Sequence, residues 1–219
     1  MCKYKTKISP MKAEIPITWA EVVDSTNSWA SREMSVIDKM SVFAALYQTA
    51  GRGQRGNKWH SATGENLTFS IALRFGNSLT GNVRAMDQFV LTEVAALAVA
   101  DFLSDKGADV RIKWPNDILV DGRKICGMLI ENRLEGSRIK ESIIGIGLNI
   151  NETGWPAELP NPVSLTELTG EQYDIRKELE ILSKTIRRRY NQLGSPDGRT
   201  ALQEEFGKYM FRLDGEQQS

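Results

Sequence analysis

Lys113-Trp-Pro-Asn-Asp-Ile-Leu-Val-Asp-Gly-Arg-Lys124 sets two lysines, an asparagine and an aspartate on one predicted hairpin. The apolar run Ile118, Leu119, Val120 ends at Asp121-Gly122, a residue pair that tolerates the two positive φ angles of a type I′ turn. With a two-residue loop, Val120 pairs with Arg123, Leu119 with Lys124 and Asp117 with Cys126. Side chains 117, 119, 124 and 126 then share one face of the ribbon. Asp117 and Lys124 become diagonal neighbours, roughly 7 Å apart at the backbone. A carboxylate and an ammonium so placed make either a surface ion pair or part of a reactive site, and the hairpin alone leaves both open.

Upstream, Gln48-Thr-Ala-Gly51-Arg52-Gly53-Gln54-Arg55-Gly56 follows the apolar run Val42 to Tyr47. Its glycines satisfy the G-x-G-x-x-G spacing of a dinucleotide-binding turn. That turn needs a helix opening at the last glycine, whereas residues 57–66 are polar, contain Gly64 and have no helical period. Beyond them Leu67, Phe69, Ile71, Leu73 and Phe75 alternate with Thr68, Ser70, Ala72 and Arg74, a strand pattern. In such a strand, loop, strand unit the glycines let backbone N–H groups turn toward one anion, and Arg52 and Arg55 add charge-assisted donors. A flexible surface loop is the other reading. Downstream, Ile144, Ile146, Leu148 and Ile150 fall on one strand face and Gly145, Gly147 and Asn149 on the other. Two positions without side chains leave room for a flat ligand or another segment close to the backbone, or for a packed helix.

Five stretches together resemble the catalytic core of the biotin protein ligase family. They are Asp24-Ser-Thr-Asn27, the Gln48 to Gly56 loop, Lys113-Trp-Pro-Asn-Asp117, Arg123-Lys-Ile-Cys-Gly127 and Gly145-Ile-Gly-Leu-Asn-Ile-Asn151, in the family's order across nearly the whole chain. The resemblance implies an α+β class II aminoacyl-tRNA-synthetase-like fold, with helices packed on a mixed sheet. It also implies a two-step reaction in which biotin and ATP with Mg2+ give biotinyl-5′-AMP, and a lysine of a biotin carboxyl carrier protein displaces AMP. A carboxylate and an α-phosphate repel, so this chemistry asks for fixed cations and backbone donors more than for proton shuttles.

By the same resemblance Lys124, Arg52 and Asp117 are the expected catalytic residues. Lys124 contacts the carboxylate and phosphate, Arg52 orients them, and Asp117 aligns the incoming lysine or pairs with Lys113 or Lys124. Ser25, Thr26, Asn27 and Gln48 match the positions around the biotin ureido ring, whose two donors and one acceptor suit hydroxyl and amide groups. Asp24, Ser25 and Thr26 also stand where a cap would open a helix over residues 27–34. Trp59 and Asn149 match positions flanking adenine, and Gly51, Gly53, Gln54, Arg55, Lys113, Asn116 and Gly127 complete the expected binding set. Gln54 stands where many members carry arginine. Residues 1–212 are expected to be the catalytic domain, with 213–219 a tail where the family's SH3-like domain would begin and with no N-terminal DNA-binding domain. An adenylation-only or non-catalytic biotin-binding core and a lipoate or octanoate ligase remain as alternatives.

Lys plus Arg equals Asp plus Glu at 28 each, which argues against a general nucleic-acid binder. Arg187-Arg188-Arg189 lies in a helical stretch with Leu179, Leu182, Ile186, Tyr190 and Leu193 on its apolar side, so a solvated face is expected for the arginines. Residues 89–100 form an apolar stretch too short for a bilayer, and they carry Glu93. They predict a buried helix over 84–104 ended by Gly107. Cys2 and Cys126 have no metal-binding or disulfide spacing, His60 is the only histidine, and no metal site is expected. A cytoplasmic enzyme, monomeric or homodimeric, without nucleic-acid or membrane partners is the consistent expectation. Two C-terminal helices are predicted at 176–191 and 199–209, and residues 151–162 read as an irregular segment closing over the nucleotide.

Overall fold

The computed structural model describes residues 14–75 and 83–211; Cys2 and the expected tail at 213–219 lie outside them. Seven strands form one mixed sheet. In chain order they are β1 (Ile17–Val23), β2 (Met40–Gln48), β3 (Leu67–Arg74), β4 (Val110–Lys113), β5 (Asp117–Val120), β6 (Arg123–Glu135) and β7 (Arg138–Leu148). Their order across the sheet is β1-β2-β3-β7-β6-β5-β4. β1 and β2 are parallel, joined by a crossover that holds helix α1 (Thr26–Glu33), and the other pairs are antiparallel.

Strand alternation divides the sheet into two unlike faces. Leu67, Phe69, Ile71 and Leu73 of β3 and Ile144, Ile146 and Leu148 of β7 join the main core, together with the buried helix α2 (Phe89–Ser104). Helices α4 (Ile175–Gln192) and α5 (Pro196–Tyr209) pack on α2 from outside, with Leu179, Leu182, Ile186 and Phe206 buried. A short α3 (Leu165–Thr169) precedes them, opened by a capping box in which Ser164 and Glu167 satisfy each other's backbone N–H groups. On the opposite face α1 covers a small cluster around Ala30, Phe43 and Ile143, with Trp29 edge-on to Phe43 at 5.0 Å. The remainder of that face carries Thr68, Ser70, Gly145 and Gly147 and is left for the site.

The expected hairpin exists, but its register changes after two pairs. Val120 opposes Arg123 and Leu119 opposes Lys124; beyond them Ile118 opposes Cys126 and Asp117 opposes Gly127. Ile125 is the additional residue of a β-bulge. Cys126 therefore lies in the main core with Ile118 rather than beside Asp117, and burial pushes its thiol pKa well above the usual range. Val110–Lys113 adds a strand that the pattern did not single out, pairing Lys113 with Asp117 and turning the hairpin into a three-stranded meander. Helix α2 begins at Phe89, after a 3-10 turn over Ala85–Asp87, and the chain beyond it bends at Gly107, where φ is +85°.

Within the arginine run Arg188 is exposed as expected, and Arg189 departs from expectation. Arg189 is buried, and its Nε and Nη2 bind the two Asp101 oxygens at 2.6 and 2.7 Å, while Nη1 reaches Glu205 at 2.6 Å. Arg188 Nη2 adds a contact to Asp101 at 2.9 Å. Arg189, with Arg188 beside it, holds α4 against α2 and α5, because a long apolar stem lets arginine enter an interface while its fork finds carboxylates.

Candidate active site

Four segments converge on the free part of the sheet: the start of α1, the glycine loop after β2, the β4-β5-β6 meander and the middle of β7. Between them lies a cavity of about 360 Å³. Its lining includes Ser25, Thr26, Asn27, Gln48, Arg52, Gly53, Gln54, Arg55, Trp59, Lys113, Asn116, Asp117, Lys124 and Gly127. Gly51 and Asn149 are not part of that lining.

The glycine loop is a tight hairpin. Gly53 N–H donates to Asn57 O (2.7 Å), Trp59 N–H donates to Gly51 O (3.1 Å), and Arg52 bridges to Lys58. The Gly53 amide, one of the glycine N–H groups expected to turn toward an anion, is thus engaged within the loop. A Cβ at Gly51 would stand 2.9 Å from the Trp59 carbonyl, so this glycine permits the close return of the chain. Arg55 and Gly56 take left-handed φ angles of 54° and 80°.

The loop return delivers Trp59 into the cavity. A Cβ added at Gly147 would overlap the indole Cε2, Cζ2 and Nε1, and one at Gly127 would meet Cζ3. The room expected above the bare face of β7 is thus used by the chain's own tryptophan at Gly147, and by the Asn27 amide at Gly145. Trp59 Nε1 is buried with no hydrogen-bond partner.

The bulge brings Lys124 Nζ to 2.8 Å from Asp117 Oδ1, both side chains partly exposed. The same ammonium stands 5.6 Å from the Trp59 ring centroid, in cation–π range. Arg52, Arg55, Lys58, Lys113 and Lys124 line the cavity, against Asp117 as the one carboxylate of that lining. A concave site with this excess of cations draws in anions.

Around the start of α1 the lining is uncharged apart from Arg52, which is tied to Glu131 beside Asn27. Gln48 Oε1 accepts the Thr26 backbone N–H at 2.8 Å, which leaves the Gln48 amide NH2 as the free donor. Ser25 occupies the N-cap of α1 without a side-chain capping bond. Asn116 is turned to β6, where its Nδ2 donates to Met128 O at 2.9 Å. Asn149 is buried, its Nδ2 bonded to the carbonyls of Val163 (2.9 Å) and Lys124 (3.3 Å), and so braces the backbone beneath the site. Residues 151–162 are irregular, yet tied to the start of β6 where Lys124 N–H donates to Asn161 O and Val163 N–H donates to Lys124 O.

Sequence reasoning did not single out Glu131 or Ser70. Glu131 accepts from Asn27 and Arg52, and Ser70 contacts Asn27 and Thr26. Period-two spacing from Gly127 along β6, and the polar face of β3, were the signals. His60 bonds Glu152 Oε1 (2.9 Å); Glu152 also accepts from the Ala62 N–H (3.0 Å) and from Asn66, tying the loop's far end to the segment after β7.

The family model of the biotin/lipoate A/B protein ligase family matches residues 19–149. The bifunctional ligase/repressor BirA of Bacillus subtilis is 36% identical over 147 residues, 65% of this chain and 43% of that protein. The chain thus spans less than half the length of that relative. The biotin–[acetyl-CoA-carboxylase] ligase of Paracoccus denitrificans is 34% identical over 178 residues, covering 78% of this chain and 71% of that protein. Among solved structures, the biotin protein ligase from Aquifex aeolicus in complex with biotin and ATP superposes with a TM-score of 0.73 at 27% identity, over 90% of this chain and 79% of that one. With the α+β fold, the converging segments and these likenesses in hand, the chain belongs to the biotin/lipoate A/B protein ligase family.

Proposed function

We propose that the chain is a biotin protein ligase core that joins biotin to ATP, forming biotinyl-5′-AMP with release of pyrophosphate, and then transfers biotin to a lysine of a biotin carboxyl carrier domain with release of AMP. The observation that carries this reading is the polarity of the cavity. Thr26 and Gln48 offer neutral hydrogen-bonding groups at one end, and Lys124, Asp117, Arg55 and Lys113 gather charge toward the other. A ligand with a ureido ring and a carboxylate matches that division, and ATP supplies the second anion. The names of the relatives and the biotin and ATP bound in the Aquifex protein support the same ligands.

In this reading Lys124 offsets the repulsion between the biotin carboxylate and the α-phosphate, and Arg52 orients the approach from the loop. Asp117, released from Lys124 as charge builds on the phosphate, aligns the incoming carrier lysine. Trp59 supplies an indole face and a free N–H. Among the described residues no group of three or more His, Cys, Asp or Glu side chains could cage a metal ion, so Mg2+ is assigned to the ATP phosphates. Residues 1–212 form the catalytic domain in this proposal, acting as a monomer or homodimer in the cytoplasm. The proposal includes no nucleic-acid or membrane partner. No helix of the described residues is long and apolar enough to cross a membrane.

The test is incubation with biotin, MgATP and a biotin carboxyl carrier domain, following pyrophosphate release and the carrier's intact mass. A biotin-sized gain that lipoate does not give is the expected result. Pyrophosphate without carrier labelling would reduce the proposal to adenylation, and labelling with lipoate instead would overturn it.

A further inference from the structure

Glu131 lies on β6 between the cavity and a neighbouring trough of about 640 Å³ that shares Asn27 and Arg52 with it. One of its oxygens, Oε2, accepts from Asn27 Nδ2 at 2.7 Å and from Arg52 Nη2 at 3.0 Å. The carboxylate thus joins the wall of the cavity to its loop.

A carboxylate only accepts, so the Asn27 NH2 group must face Glu131, where it also reaches Leu129 O at 3.3 Å. The Asn27 Oδ1 is thereby turned to Ser70 Oγ, 2.6 Å away, and Ser70 Oγ lies 2.8 Å from Thr26 Oγ1. A carbonyl oxygen cannot donate, so the one Ser70 proton goes to Asn27. The Thr26 hydroxyl, given no proton by Ser70, donates its own to Ser70 or to Gln48 Oε1 at 3.2 Å and in either case keeps lone pairs for the cavity. Both donors of the Asn27 amide and one lone pair of its oxygen are engaged within the protein, so Asn27 orders Ser70 and, through it, Thr26.

We propose that Glu131 is a positioning residue for the ligase reaction: by fixing the Asn27 amide it makes Thr26 an acceptor for the ring N–H of biotin, and by holding Arg52 it keeps the loop arginine over the same cavity. This inference rests on the biotin ligase reading above. Replacement of Glu131 by glutamine can place an amide oxygen at the same point, whereas alanine removes the acceptor and frees both partners.

Biotin binding by calorimetry, and KM and kcat from pyrophosphate release, are to be measured for the wild-type chain, Glu131→Gln, Glu131→Ala and Asn27→Ala alone and combined with Glu131→Ala. Alanine at 131 is expected to raise Kd and KM for biotin about tenfold, the scale of one charge-assisted hydrogen bond, with a smaller fall in kcat. Glutamine is expected to stay within about threefold of wild type, because the acceptor is retained. In the Asn27→Ala background the further loss is expected to be under about twofold, since the relay is already broken. Glu131→Met, similar in volume and without an acceptor oxygen, replaces the alanine variant if that variant does not fold. Unchanged biotin affinity in a folded Glu131→Ala or Glu131→Met protein, or fully additive losses with Asn27→Ala, overturns the positioning role alone. A wild-type chain that binds no biotin overturns the ligase reading and this inference with it.

Discussion

Trp59 fills the space above Gly147, so closely that a single Cβ on that glycine would overlap three indole atoms. The indole also lies over Gly127, the β6 residue paired with Gly147, with Lys124 Nζ 5.6 Å from its ring centroid. Gly147→Ala therefore expels the ring from the cavity floor. ATP affinity is expected to fall at least about tenfold, with a stability loss of about 1–3 kcal/mol from overpacking. Calorimetry with ATP and a thermal melt check both, and a variant that binds ATP as wild type does would show that the indole's place is immaterial.

Lys124→Ala removes the ammonium that faces Asp117 at 2.8 Å. Because the pair is partly exposed, the folded state is expected to lose no more than about 1 kcal/mol. Adenylation is expected to slow by about a hundredfold or more, as when one fixed group that stabilises developing charge is deleted. Pyrophosphate release beside a denaturant titration separates the two effects.

Asp101 is the shared acceptor of Arg188 and Arg189 on the helical side of the sheet. Its replacement by alanine leaves the nearly buried Arg189 guanidinium with Glu205 as its charged partner. A loss of about 3 kcal/mol in urea unfolding is expected, the scale for breaking a buried pair from one side. A midpoint within error of wild type would show that Glu205 alone suffices.

Glu93, buried on α2 with Oε2 unpartnered, has its pKa raised by desolvation. The folded state holds this proton more tightly than the unfolded chain. Stability therefore declines as pH rises from the unfolded value toward the folded one, and stays lowered above it. Glu93→Gln is expected to be more stable than wild type at pH 7 by roughly 1 kcal/mol, with the gain fading below about pH 4. Melts across pH 3–8 test this, and a gain independent of pH would assign the effect to packing.

Much of the fold was legible because alternation and turn chemistry are local. Asp121-Gly122 fixed the hairpin's tip, and Leu67 to Leu73 declared both faces of β3. The bulge was harder to see, since its sign was only two consecutive apolar residues, Ile125 and Cys126, in a strand otherwise open to alternation. Arg189 could not be placed from its own helix, because its partner Asp101 lies on α2 and reaches it only after packing. The backbone contacts of Asn149 were hidden for a related reason. The carbonyls of Lys124 and Val163 that occupy it become neighbours only in the folded chain, and a buried amide goes where backbone groups would otherwise be orphaned. Glu131 followed the same face as Gly127, yet nothing near it in sequence announced that Asn27 and Arg52 would meet there.

The pairing of β3 with β7 sets Leu67 against Leu148 at the middle of the sheet, with the long helix and the whole meander between them in sequence. During synthesis the β1-β2-β3 half must wait with an open strand edge until β7 has left the ribosome, because no earlier strand can take that place. Closing so large a loop is slow compared with forming a local hairpin, and the waiting edge is open to pairing with other chains. The glycines that shape the cavity, Gly145 and Gly147, sit on the strand that ends this delay, so their substitution is expected to affect the yield of folded protein as well as its chemistry.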